Sequence, residues 1–177
     1  IVFLCYFNTL DAPIVESLGA EYDNVIFMFA PISRCYQHYL KDDNCESGTK
    51  SGGWELNKIR PPHTNKEFVD ILTNWQEKYT GDSFIFDYYL WRPFHDNLNT
   101  FGLSKVINQD IKDLKDLNLN GLISCQVLRC FYPVGLEISA MAETLWDRKA
   151  NWSDIIENQL DTAYGNNSAI VKEYLSG

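Results

Sequence analysis

The residues able to do chemistry gather just after four short apolar runs. The second run exits into Ala30-Pro-Ile-Ser-Arg-Cys-Tyr-Gln-His38 and the third into Asp87-Tyr-Tyr-Leu-Trp-Arg-Pro-Phe-His95. The fourth exits into Cys125-Gln-Val-Leu-Arg129 and the first into Tyr6-Phe-Asn-Thr9. This set suits a sugar. Tyr88 and Trp91 offer flat faces to the apolar side of a pyranose ring. Asp87, Asn8 and Gln126 can make paired hydrogen bonds to neighbouring hydroxyls. Arg34 is a fork for a carboxylate or a hydroxyl pair, with His38 as a second donor. Each residue also has a plainer reading. Arg34 can pair with the acidic loop Asp42-Asp43. Tyr88 and Tyr89 can both be core, and in a strand they point to opposite faces, so only one of them lines a site. Asp87 is harder to dismiss, because a carboxylate inside an apolar run needs a partner.

Glycoside hydrolysis takes two carboxyl groups, an acid and a base or nucleophile. Asp87 is the best placed, and Asp96 and Glu137 are weaker candidates on following loops. No paired-acid motif is visible, so the general acid is expected outside this chain. GxSxG, P-loop and GxGxxG patterns are missing too, which removes serine-hydrolase, NTPase and Rossmann readings. His38 and His95 belong to no HxH or HExxH pattern, so neither a metal nor a cofactor is expected. Cys5, Cys35, Cys45, Cys125 and Cys130 form no CxxC pair. Cys35 and Cys45 flank a polar stretch, and either close a loop as a disulfide or stay two thiols.

These residues must be positioned by strands. The runs near 1–7, 25–30, 83–89 and 121–127 are rich in β-branched and aromatic residues, and the last three follow turn-type residues. Near-continuous apolarity is the pattern of strands covered on both faces of a parallel sheet. Helical spacing lies between them. Phe68, Ile71, Leu72 and Trp75 predict a helix over 65–78, capped by Thr64 or Asn65. Val106, Ile107, Ile111, Leu114 and Leu117 predict another over 104–117. The carboxyl-terminal part, 136–177, reads as helical: 136–148, then 154–164 capped by Ser153, then 167–175. Trp146, at helical spacing with Met141 and Leu145, is expected in the core, and His63 on the surface. Two connections are unusual. Residues 8–24 hold no convincing helix, and 31–63 begin with a long polar excursion of the kind that is usually functional or disordered.

Strands alternating with helices give an α/β class with parallel pairing and right-handed crossovers. With 45% apolar and 14% aromatic residues, the chain is neither disordered nor low-complexity. Its net charge of −9, with no basic patch, argues against a nucleic-acid partner. No stretch reaches the roughly 18 apolar residues of a membrane span. The chain starts at Ile1, which reads as a processed or excised piece, with any secretion signal upstream.

Residues Val25 to Cys45, with a strand, then Arg34-Cys-Tyr-x-His38, then a second cysteine, resemble the signature of the family catalogued as domain of unknown function 4838. The Trp75 helix with Phe86-Asp-Tyr-Tyr89, the Gly121 strand with Gln126, and Leu145-Trp-Asp147 with Tyr164-Gly165 are similar in order and spacing. The resemblance runs over nearly the whole chain, and Arg-Cys-Tyr-x-His is its most specific part. It implies a bacterial, exported, glycoside-hydrolase-like protein, extracellular or in the cell envelope. It also implies that the four strands are the second half of a (β/α)8 TIM-like barrel, with Arg34, His38, Asp87, Tyr88 and Gln126 at its mouth, and it favours a Cys35–Cys45 disulfide. Two departures stand out. Cys125-Gln126 replaces the family's Glu-Gln pair, and the usual Pro-Pro before the second strand is reduced to Pro13.

A full barrel takes about 250 residues, and this chain has 177. The expected protein is therefore a single domain or barrel fragment over 1–177, part of a glycoside hydrolase and inactive on its own. In this reading Asp87 is catalytic, and Arg34, His38, Tyr88, Trp91, Gln126 and Asn8 bind the carbohydrate. The alternative in function is a non-catalytic glycan-binding or structural module. The alternative in fold is a flavodoxin-like open sheet, which would need a Ser/Thr/Gly-rich loop where Asn8-Thr-Leu-Asp-Ala-Pro13 stands. Half a barrel has open sheet edges, which invite self-association.

Overall fold

A computed structural model describes residues 1–18, 24–45, 62, 64–91, 100–127 and 134–176. Its centre is a parallel sheet of four strands in the order β1-β2-β3-β4. These are β1 (Val2–Cys5), β2 (Ile26–Phe29), β3 (Ser83–Leu90) and β4 (Leu122–Gln126). Val2 stands opposite Ile26, and Cys5 opposite Phe29. Phe27 stands opposite Ser83, and Phe29 opposite Ile85. The Ile85 N–H donates to the Gly121 carbonyl (3.0 Å), which sets β4 beside β3. The expected α/β class and all four strand positions are therefore observed.

The helices are α1 (Asn65–Lys78), α2 (Thr100–Asp113), α3 (Leu136–Trp146), α4 (Trp152–Tyr164) and α5 (Ser168–Ser176). Helix α1 has the bounds its spacing predicts. Thr64 caps it: its hydroxyl accepts the Glu67 N–H, and the Glu67 carboxylate accepts the Thr64 N–H. This reciprocal pair is a capping box. Helix α2 begins four residues earlier than the spacing indicated. It runs through Gly102, a poor helix former that hid its first turn. It also stops earlier, because Leu114–Asn118 turn back on themselves and Asn118 takes a φ of +53°, a region asparagine tolerates. At α4 the cap is Asn151 and not Ser153. The Asn151 side chain accepts the N–H groups of Ser153 (2.8 Å) and Asp154 (3.3 Å).

The described chain divides into two compact units, residues 1–87 with 114–124 and residues 88–113 with 125–177. In the first, α1 lays Phe68, Leu72 and Trp75 on the sheet residues Phe27, Phe29 and Ile85. The Trp75 indole N–H donates to the Leu10 carbonyl (2.7 Å), tying down the helix-poor first connection. In the second unit Val134, Leu136, Ile156 and Leu160 form a core flanked by Phe101 and Trp152. There the buried Tyr89 hydroxyl donates to Asp110 Oδ2 (3.0 Å).

Trp146 departs from expectation, being 93% exposed. Helix α3 buries Leu136, Glu137, Ala140, Met141 and Thr144. At 3.6 residues per turn these occupy one arc, and Trp146 falls on the opposite side. The spacing to Met141 misleads because that residue sits at the arc's edge.

Candidate functional site

The loop leaving β2 carries the most chemistry. It has no regular secondary structure from Ala30 to Cys45, so side chains must hold it. Arg34 is the main anchor. Its Nε donates to Asp87 Oδ2 at 3.0 Å, and both side chains are 0% exposed. Its Nη1 donates to the Cys35 carbonyl (3.3 Å), and its guanidinium carbon lies 4.5 Å from the Tyr36 ring centre. Arg34 thus pairs with Asp87 in β3, not with the Asp42-Asp43 loop. This gives the carboxylate inside the apolar run the partner its burial demands.

Asn65 is the second anchor. It lies on the buried stripe of α1 with Phe68, Leu72 and Trp75. Its Nδ2 donates to the carbonyls of His38 (3.0 Å) and Tyr39 (2.8 Å). Ser33 adds a third tie, its hydroxyl donating to the Pro62 carbonyl (2.5 Å). Between these anchors Cys35 Sγ lies 3.3 Å from His38 Nδ1. Cys45 is buried, and its thiol lies close to both. Cys35 and Cys45 are thiols, not a disulfide.

Asn8 is exposed on a 3-10 turn over Phe7–Thr9, whose first residue has a φ of +44°. That conformation is unusual for a bulky side chain. The Thr9 hydroxyl accepts the Tyr6 N–H (3.2 Å) and closes the turn. In the second unit, Tyr88 and Trp91 are neighbours with ring centres 5.9 Å apart, and the Trp91 N–H donates to the Tyr88 carbonyl (3.0 Å). Gln126 ends β4 and is exposed. His63, His95, Asp96, Arg129 and Cys130 lie outside the described residues.

Glu137 gains weight. It is 1% exposed on the first turn of α3, and its Oε2 has no hydrogen-bond partner among the described residues. Burial pushes its carboxyl up to about 7, and the opposing hydrogen bond from its own backbone N–H is too weak to reverse this. A carboxyl in that state holds a proton near neutrality, the property of a general acid. The signal available in the sequence was an acidic residue between Leu136 and Ile138 on an apolar helix.

A concavity of about 420 Å³ lies around the amino end of β3, lined by Gln76, Thr80, Ser83, Lys115, Asn118 and Asn120 among others. It lies at the end of the strand opposite Asp87. Comparisons with family models, with curated proteins and with solved structures return no match. No helix among the described residues is long and apolar enough to cross a membrane.

Proposed function

We propose that this chain is the carbohydrate-recognising part of a glycoside-processing α/β scaffold, the second half of a (β/α)8 barrel, and that Asp87 positions the site instead of reacting. The fully buried Arg34–Asp87 ion pair carries the reading of Asp87, and the Tyr88–Trp91 ring pair, with centres 5.9 Å apart, carries the reading of a sugar ligand. A carboxylate matched to a guanidinium is held in its charged form by that pair and is poorly placed to take a proton from a substrate or to attack it. Its role is to hold the β2 exit loop against β3. Sugar contact falls instead to side chains of the second unit that keep accessible surface: the Trp91 ring, packed on the largely buried Tyr88, for stacking, and Gln126 for hydrogen bonding. The Arg-Cys-Tyr-x-His resemblance supports the same class of ligand.

The test is calorimetric titration of the whole chain with a panel of oligosaccharides. Binding without cleavage is expected, and Trp91→Ala should weaken it by about tenfold, equivalent to ~1.4 kcal/mol. If no sugar binds, or if Trp91→Ala binds as tightly as the unaltered chain, the reading fails.

A second reading, hydrolysis, is favoured by Glu137. A buried carboxyl protonated near neutrality is what a leaving-group acid requires. It predicts slow release of nitrophenol from aryl glycosides, lost in Glu137→Gln. Asp87→Asn tests whether Asp87 takes part in the chemistry of a chain that turns over. Unchanged turnover there would remove Asp87 from the chemistry.

A further inference from the structure

Cys35, His38 and Cys45 bring two sulfurs and a ring nitrogen within 4.8 Å of one another. A thiol–imidazole hydrogen bond accounts for the 3.3 Å approach of Cys35 Sγ to His38 Nδ1. It does not account for a second, buried sulfur converging on the same point. Three soft or borderline donors meeting at one place are a metal-ligand set.

We propose that Cys35, His38 and Cys45 bind a zinc ion through two thiolates and His38 Nδ1. Around tetrahedral zinc, with bonds of about 2.3 Å to sulfur and 2.0–2.1 Å to nitrogen, ligand atoms lie roughly 3.5–3.8 Å apart. From one separation of 3.3 Å and others of no more than 4.8 Å, that spacing takes side-chain adjustments of about 1 Å. Two thiolates balance the ion's charge, and a fourth coordination position remains for water or another ligand.

The backbone of each ligand is already tied. Arg34 Nη1 holds the Cys35 carbonyl (3.3 Å), and Arg34 is itself fixed by Asp87. Asn65 Nδ2 holds the His38 carbonyl (3.0 Å). The Cys45 N–H donates to the Asp42 carbonyl (3.3 Å), inside a turn where Asp42 Oδ1 accepts the Asn44 N–H (2.9 Å). Buried polar side chains that fix ligand-bearing backbone are what a pre-organised metal site requires. This gives the ion pair and the Asn65 clamp a common purpose, independent of any sugar. The competing uses of the trio are a Cys35–Cys45 disulfide and a Cys35–His38 nucleophile pair.

The experiment uses the whole 177-residue chain, reduced, stripped with a chelator and titrated with zinc chloride. One zinc per chain is expected. Iodoacetamide labelling read by mass spectrometry should show Cys35 and Cys45 protected by zinc and released by EDTA, with Cys125 labelled alike in both states. Cobalt in place of zinc should give thiolate-to-cobalt charge-transfer bands. His38→Ala and Cys45→Ser should each weaken binding by more than the roughly 10–100-fold that loss of an outer-shell partner costs, and Cys125→Ser should leave it unchanged. The proposal is overturned if the reduced chain takes up no stoichiometric zinc or if zinc does not protect the two thiols. It is equally overturned if Cys45→Ser binds as tightly as the unaltered chain. Should the variants fail to fold, the labelling experiment on the unaltered chain decides alone.

Discussion

Asp87, inside β3, and Glu137, on the first turn of α3, are both buried carboxyl groups, and the chain treats them in opposite ways. Asp87 goes inside as an ion pair, with Arg34 Nε 3.0 Å from its Oδ2. Glu137 has an oxygen with no partner among the described residues, and burial raises its carboxyl to about 7. Burial disfavours the charged form of any acid, and a partner of opposite charge or hydrogen bonds to the carboxylate offset that cost. One region therefore keeps a fixed charge and gains a fixed loop. The other keeps a proton that it can give up near neutrality. Asp87 thereby ties down a loop, while Glu137, which the sequence reading ranked below Asp87, holds the more weakly acidic carboxyl.

Breaking the first half of that contrast has the largest expected effect. Arg34→Met removes the guanidinium that pairs with the buried Asp87 carboxylate, and should lower the unfolding free energy by about 3–5 kcal/mol in denaturant melts. Adding Asp87→Leu should restore most of it, because an apolar pair often replaces a buried ion pair at little cost. A single variant as stable as the unaltered chain would mean that Arg34 is not what Asp87 depends on.

The second half is broken by pH. The folded Glu137 carboxyl sits at about 7, above its ordinary 4.5. The folded chain therefore holds a proton that the unfolded chain has lost. The contribution to stability is complete below about pH 4.5, and it is lost as pH rises through about 7. Glu137→Gln removes this dependence. It should raise stability at about pH 8 by up to ~3 kcal/mol and change little at about pH 4. Melts across this range check it, and parallel curves for the two chains would refute the raised acid.

The sequence was legible where local pattern decides structure. The apolar runs located all four strands, and Phe68, Leu72 and Trp75 with Thr64 fixed both ends of α1. It was less legible where a partner is distant. Arg34 and Asp87 are 53 residues apart, and nothing in their spacing announces the pair. The Glu137 shift depends on tertiary burial alone. The thiol–imidazole trio was partly visible, as Cys35-Tyr-Gln-His38 with Cys45 seven positions on. It follows neither the CxxC nor the HxH spacing, and it lies in a loop whose path is set by Arg34 and Asn65, not by its own periodicity. Trp146 misled because helical spacing locates a stripe without fixing where the stripe ends.

Smaller perturbations refine the same contrast. Asn65→Ala removes two hydrogen bonds to the loop beside the ion pair, at about 1 kcal/mol each. It should cost about 2 kcal/mol in denaturant melts and weaken the loop's hold on the thiols, seen as faster alkylation of Cys35.

The smallest effect is expected at the far end of the helix that carries Glu137. Trp146 is 93% exposed, ten residues beyond the fully buried Leu136. Truncating an exposed side chain that carries no cap or pair should change stability by no more than about 0.5 kcal/mol, so Trp146→Ala should melt with the unaltered chain. Its indole should be quenched freely by acrylamide, unlike that of Trp75, which is buried against Leu10. A loss above about 1 kcal/mol, or a shielded indole, would mean that something covers this face in solution. The packed side of α3 would then extend beyond Thr144, and Glu137 would lie on a helix held from both faces instead of one.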